Sequence, residues 1–168
     1  AAGEFSSFSR FYTEKSSSFD LIRLIKEQII LFNTRDNINL SLKTDYTDAI
    51  VYTKKTQITR VLVNLISNAV QAIEHKERGY IIVELYKEED KMFVISVHDS
   101  GEGVPENLVH KLFKPNFTTK SGGTGLGLAI CRSIMEQSQG SATYSRSTLL
   151  GGACFTIKIA ISYEEKSV

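Results

Sequence analysis

Asn64 and Asn68 lie four residues apart, a spacing that stacks them on one face of a helix. Two amides beside an apolar stripe need partners. An amide oxygen is a hard donor of the kind Mg2+ takes together with water and phosphate oxygens. Asp99 ends a β-like run and is followed by Ser100, Gly101, Glu102 and Gly103. Glycines there let a flat ligand approach the backbone. A carboxylate accepts a hydrogen bond from the adenine amino group and rejects guanine, which presents an acceptor at the same edge. Phe113 to Lys120 then gathers Phe113, Phe117, Thr118, Thr119, Lys114 and Lys120, and Ser121-Gly122-Gly123 follows. The aromatics anchor such a loop to a core, hydroxyls and a lysine face phosphate, and the glycines supply a hinge. Finally Gly123-Thr124-Gly125-Leu126-Gly127 opens a helix, whose free N–H groups and dipole cradle an anion. In this order the blocks describe an ATP site: a metal-bearing helix, an adenine acceptor and a basic lid closing on a phosphate cradle.

Each block alone has a bland reading. The amides could be satisfied on the surface, Asp99 could sit in an ordinary turn, the aromatic loop could be a solvated connection, and the last glycines a flexible helix entry. The last block is not a P-loop, because no Gly-Lys-Ser/Thr follows. Nor is it a dinucleotide fingerprint, because no glycine lies three residues after Gly127. Order and spacing of the four together carry the reading.

The elements that must position these blocks follow from periodicity. Phe5, Phe8, Phe11 and Tyr12 have helical spacing and read as the end of a helix. Ser16-Ser17-Ser18 reads as a break that caps an amphipathic helix over 19–33. Strands are expected over 37–44 and 49–52. A long helix, 54–76, is expected to be capped by Thr53 and stopped by Gly79. Its buried stripe would be Ile58, Val61, Leu62, Leu65, Ala69, Ala72 and Ile73, flanked by Arg60, Asn64, Asn68 and Gln71. Strands follow at 80–88 and 92–98, joined by Glu88-Glu89-Asp90, then a short helix at 105–113 with Pro105 in its first turn. A helix at 125–139 and strands at 141–147 and 152–161, turning at Gly151-Gly152, complete the pattern. Helices with an antiparallel or mixed sheet imply a two-layer α/β sandwich.

Length and composition agree. The 168 residues suit one domain, and 42% apolar with 23% charged residues is ordinary for a globular protein. A net charge of +1 gives no general attraction to nucleic acid or anionic membrane. No apolar run reaches the ~18–20 residues of a membrane span, and the first residues lack the charged-then-apolar order of a leader. Cys131 and Cys154 lie in apolar surroundings and read as core residues. His75, His98 and His110 have no metal-ligand spacing.

Taken together, the blocks resemble the catalytic ATP-binding domain of sensor histidine kinases, within the wider group shared with DNA gyrase, Hsp90 and MutL. The resemblance covers about residues 19–162. Asn64 and Asn68 match the asparagine box, Asp99, Gly101 and Gly103 the first glycine box, Phe113 and Phe117 the phenylalanine box, and Gly123, Gly125 and Gly127 the second glycine box. Phe113-x-Pro-x-Phe-Thr-Thr-Lys and Asn68-Ala69-Val70-Gln71-Ala72 are most similar to the NtrB/NtrY nitrogen-regulation type, although Gln71 stands where many sensor kinases have lysine.

The resemblance implies the Bergerat fold, a mixed, largely antiparallel sheet covered on one face by helices. It implies ATP and Mg2+, with Asn68 as metal ligand, Asp99 on adenine and 114–123 as the lid. Asn64, Asn68 and Lys120 are the implied catalytic set. Phe117, Thr119, Lys120, Thr124, Leu126 and Thr156 join the glycines around the nucleotide. Residues 1–18 would be the end of a dimerisation helix and linker, and 19–168 the catalytic domain.

The implied activity is transfer of the γ-phosphoryl group of ATP to a histidine. None of His75, His98 and His110 fits the expected acceptor, so it would lie on a dimerisation domain not in this chain, and autophosphorylation is not expected without it. Implied partners are that domain and a response regulator, with no nucleic acid and no direct membrane contact. The domain is expected to be monomeric in isolation and cytoplasmic, whether free or part of a membrane-bound sensor. The rival readings are an ATPase switch of the gyrase, Hsp90 or MutL kind and a nucleotide-sensing module without transfer. The ATPase switches carry a glutamate base one turn before the metal-binding Asn, where this chain has Asn64, an amide that cannot act as a base.

Overall fold

The computed structural model describes residues 14–117 and 127–161. Strand β1 (Ser17–Asp20) leads into helix α1 (Leu21–Phe32), then β2 (Ile38–Thr44), β3 (Ile50–Thr53), helix α2 (Lys55–Ile73), β4 (Gly79–Glu88) and β5 (Met92–Asp99). A single turn of helix, α3 (Glu106–Val109), precedes helix α4 (Gly127–Gln137) and the closing strands β6 (Ser141–Arg146) and β7 (Ala153–Ala160). The main sheet has the order β2-β4-β5-β7-β6, with β2 and β4 parallel and the other pairs antiparallel. A separate two-stranded sheet pairs β1 with β3.

Alternation along the strands decides which face carries what. Ile81, Val83 and Leu85 of β4 pair with Asp99, Val97 and Ile95 of β5, and Val97 and Ile95 pair with Phe155 and Ile157 of β7. All of these are buried, on the face packed by α1, α2 and α4. The residues between them, Glu84, Ser96, His98, Cys154 and Thr156, point to the other face. The chain is thus the expected two-layer sandwich with a mixed, largely antiparallel sheet.

α2 is the central helix. Ile58, Val61, Leu62, Leu65, Ile66, Ala69 and Ile73 recur at its 3–4-residue period and are all buried. Each large member contributes about 1.5–3 kcal/mol by leaving water. This stripe fixes the rotation of the helix and thereby the direction of Asn64 and Asn68.

The ends of the elements depart from expectation in four places. Ser17 and Ser18 are strand residues paired with Thr53 and Tyr52, and the α1 cap is Asp20, whose Oδ1 accepts from Ile22 N–H at 3.0 Å and from Ala49 N–H at 2.9 Å. The expected domain boundary after residue 18 therefore falls inside β1. Thr53 is used up in β3, and the first turn of α2 is capped from outside by Glu14, whose Oε2 accepts from Thr56 N–H at 3.0 Å. α2 ends at Ile73, short of Gly79. Asn37 Nδ2 donates to the carbonyls of Glu74 (3.2 Å) and Lys76 (3.0 Å), and Gly79 already begins β4. The 105–113 helix is one turn long, with Pro105 at its N-cap. The acidic turn is as expected: Glu89 and Asp90 both take left-handed backbone, the pattern of a tight hairpin turn.

Candidate functional site

Asp99 is the buried charge of the helix-covered face, 3% exposed at the C-terminal end of β5. Its Oδ1 accepts from Gly101 N–H at 2.9 Å and from Ala153 N–H at 3.1 Å. Its backbone carbonyl accepts from Gly152 N–H at 3.1 Å. Both donors converge on one oxygen, and among the described residues no hydrogen bond reaches Oδ2. Burial pushes the carboxyl above its ordinary pKa. The two N–H donors, then Lys76 and His98, pull it back only in part.

Two glycines make this seat possible by close approach. A Cβ on Gly101 would meet Asp99 Oδ1 at 2.9 Å and Ala72 of α2 at 3.2 Å. A Cβ on Gly152 would lie 2.6 Å from Gly101 N and press on Asp99. Gly103 takes left-handed backbone (φ 77°), and the Arg146 guanidinium lies against it, donating to Glu102 O at 2.8 Å. Tyr144 Oη accepts from Val104 N–H at 3.0 Å, and Lys76 Nζ donates to Ser100 O. The turn after Asp99 is therefore tied to the segment following α2 on one side and to β6 on the other.

Asn64 and Asn68 are half-buried and share a face of α2, as their spacing requires. Asn64 Nδ2 donates to Gly127 O at 3.3 Å, and a Cβ on Gly127 would lie 2.7 Å from Asn64 Oδ1. The asparagine box thus touches the first turn of α4, where the second glycine box ends. Below it Cys131 is fully buried, and burial pushes its thiol up to about 12.

The aromatic block packs as a wedge. Phe113 meets Phe155 edge-on at 6.3 Å, Tyr144 meets Phe155 at 5.3 Å, and the Arg132 guanidinium lies 4.1 Å from the Phe113 ring centre. Phe117 rests against the core one residue after Asn116, which takes left-handed backbone (φ 68°). Thr119, Lys120, Gly123, Thr124, Gly125 and Leu126 lie outside the described residues.

One expected residue is not brought to the site. Thr156 alternates with Phe155 and so points to the far face, where its Oγ1 lies 2.8 Å from Ser96 Oγ. Conversely Gly152, Ala153, Lys76, Tyr144 and Arg146 build the site although the sequence reading gave them no role there. The Gly151-Gly152 pair was the available signal for the first of these.

The donor set fits Mg2+ carried in with a nucleotide. The amide oxygens of Asn64 and Asn68 are hard but neutral, so phosphate oxygens would have to complete the shell. Among the described residues no group of His, Cys, Asp and Glu could hold a metal by itself.

A two-layer sandwich with a buried acceptor beside a glycine turn, facing an amide-bearing helix, defines a nucleotide-binding ATPase-type domain. The chain belongs to the family of histidine kinase-, DNA gyrase B- and HSP90-like ATPases, whose profile matches residues 53–162. Relatives within it include sensor histidine kinases. A putative NtrY-like sensor histidine kinase of Rickettsia felis is 36% identical over 137 residues, which is 80% of this chain and 22% of that protein. The nucleotide-free catalytic domain of histidine kinase ThkA superposes with a TM-score of 0.78 at 36% identity, covering 88% of this chain and 96% of that domain. ThkA bound to the response regulator TrrA gives a TM-score of 0.73 at 30% identity, over 98% of this chain and 50% of that one. The chain spans about a quarter of the curated relatives it matches (25% and 26% of two of them). Its match is to the ATP-binding catalytic part of such kinases.

Proposed function

We propose that this chain holds Mg-ATP and presents its γ-phosphoryl group to a histidine on a dimerisation domain outside the chain, as the catalytic part of a two-component sensor histidine kinase. The observation that carries the reading is the Asp99 seat. The carboxylate has one oxygen held by two N–H groups and the other unbonded among the described residues, so an acceptor stays available, and the adenine amino group supplies the matching donor. Asn68 is the proposed metal ligand, and Asn64 links α2 to the start of α4. The metal would offset phosphate charge. The chain's own residues orient the base, fix the helix start and exclude water.

Transfer by this arrangement is mainly positioning and charge stabilisation. The histidine brings its own lone pair, so no base is needed, and an amide at position 64 leaves water without one. That favours phosphoryl transfer over the ATPase-switch rival. Lys120, Thr119, Thr124 and the glycines 123 and 125 are proposed on the phosphates. ThkA is known in complex with a response regulator, and by analogy a response regulator is proposed as the downstream partner of the full protein, acting in the cytoplasm.

The test is phosphotransfer from γ-labelled ATP to a separately supplied helical hairpin bearing the acceptor histidine. Acid-labile, base-stable label on the hairpin is expected, with very slow ATP hydrolysis by the chain alone. Sustained hydrolysis near about 1 per second, the low end of typical enzyme rates, with no label on the hairpin would contradict the kinase reading.

A further inference from the structure

Behind Asp99, on the face of the sheet away from the helices, lies a buried polar cluster that is no part of the nucleotide seat proposed above. His98 is 4% exposed, as are Ser147 and Cys154. His98 Nδ1 is 2.8 Å from Ser147 Oγ, and His98 Nε2 is 3.3 Å from Glu84 Oε1 and 3.7 Å from Cys154 Sγ. Burying this much polarity on a sheet face needs a reason, since unmet groups there cost free energy.

Ser147 closes the turn between β6 and β7. Its N–H donates to Gly152 O at 2.7 Å, its carbonyl accepts from Gly151 N–H at 3.0 Å, and its Oγ accepts from Leu150 N–H at 2.9 Å. The next two N–H groups, of Gly152 and Ala153, are those that hold the Asp99 carbonyl and carboxylate. With the Leu150 bond made, the Ser147 hydroxyl still has its proton to place. Above its pKa, the neutral ring with its proton on Nε2 meets both neighbours: Ser147 donates to Nδ1, and Nε2–H donates to Glu84. The ring therefore clamps the turn that seats Asp99, from the far side of the same strand.

We propose that His98 is a positioning residue of the nucleotide pocket, acting through Ser147 and the 147–152 turn to set the Asp99 carboxylate. The role rests on the nucleotide reading of Asp99 given above.

The atoms of His98 make the test specific. An asparagine places its amide near the Nδ1 position and can accept from Ser147. A glutamine places its amide near Nε2, toward Glu84, and cannot. Affinities for Mg-ADP and Mg-GDP would be measured calorimetrically, well below the unfolding temperature, for wild type, His98→Asn, His98→Gln, Ser147→Ala and the Ser147→Ala/His98→Gln double variant. His98→Gln and Ser147→Ala should each weaken ADP by about fivefold or more, the low end for an unmet buried group, and narrow the ADP-over-GDP ratio. His98→Asn should stay within about twofold of wild type, and the double variant should be no worse than either single one. A general loss of stability would not spare the asparagine or change the base preference. Wild-type affinities in all variants, an asparagine as weak as the glutamine, or additive losses would overturn the role. A wild type that binds neither nucleotide would overturn the nucleotide reading itself, and this role with it.

Discussion

His98 and Asp99 are consecutive on β5 and face opposite sides of one sheet, and both have pKa values above the ordinary ones. The same direction means opposite things. For Asp99 burial dominates, so the charged form is disfavoured in the fold. For His98 burial acts downward, but Cys154 and Glu84 more than offset it, so the charged form is favoured. Glu84 is itself 3.9 Å from Lys43 on the neighbouring strand. The far face is a closed polar network whose members satisfy one another. The helix-covered face holds a carboxylate that its own fold does not fully satisfy. A group kept at a cost to stability, with an oxygen left over, is the signature of a ligand site.

Replacing the unsatisfied group should have the largest effect. In Asp99→Asn the amide oxygen must keep the Gly101 and Ala153 N–H bonds, so its NH2 is turned toward the base. Donor then meets the adenine amino donor. ADP affinity should fall roughly 5- to 150-fold, from about 1–3 kcal/mol, and the preference over GDP should collapse. Folding stability near neutral pH should not fall, because a carboxyl with a raised pKa contributes less stability once pH passes above it. Calorimetry and thermal melts on one sample would check both. A large drop in melting temperature with unchanged affinity would break the comparison.

The two turn glycines should separate the faces next. Gly152→Ala drives a Cβ onto Asp99 and Gly101, which should cost about 1–3 kcal/mol of stability and weaken nucleotide binding together. Gly151 has left-handed backbone (φ 83°) but nothing within 4 Å of an added Cβ. Gly151→Ala should therefore cost about 1–2 kcal/mol of strain and leave affinity alone. Denaturant melts with ADP titrations would show equal binding losses if the account of the seat is wrong.

The cysteines sample the same division. Cys131, under α2, has its thiol pushed up to about 12 by burial. Cys154 is pulled below its ordinary value because hydrogen bonds from His98 and Thr156 outweigh burial. Both thiols are buried and should be alkylated slowly in the native protein, with Cys154 the faster of the two because its lowered pKa gives it the larger thiolate fraction. Peptide mass mapping over time would read it, and equal rates would remove the electrostatic contrast.

The smallest effect is the pH dependence of stability carried by His98. Its folded pKa is above 6.5, so its contribution is fully present below 6.5 and fades as pH rises through the folded value. The stability lost in His98→Asn should shrink as pH rises above 6.5 and through the folded value. A difference that is flat or grows with pH would mean that Glu84 and Cys154 do not favour the charged ring.

The placements seen among the described residues were legible because each is local: a helix repeat for Asn64 and Asn68, a glycine turn after Asp99 and the aromatic anchors Phe113 and Phe117. The strands over 92–98 and 152–161 were legible too, and with them the sandwich. The partners of Asp99 were not, because Ala153 lies 54 residues away and only strand pairing brings it near. Thr156 was misplaced although its neighbour Phe155, an inward residue, already implied the opposite face. Caps failed where long-range contacts overrode local preference: pairing took Ser17 and Thr53 into strands, while Glu14 and Asn37 reached across to finish α2.

Amide NMR spectra recorded during titration with Mg-ADP and, separately, Mg-GDP test the central claim most directly. The Gly101 and Ala153 N–H groups report on the Asp99 carboxylate they both serve. Both signals should shift saturably with Mg-ADP and hardly move with Mg-GDP at the same concentration. Shifts confined to other parts of the chain, or equal responses to the two nucleotides, would contradict an adenine site at Asp99.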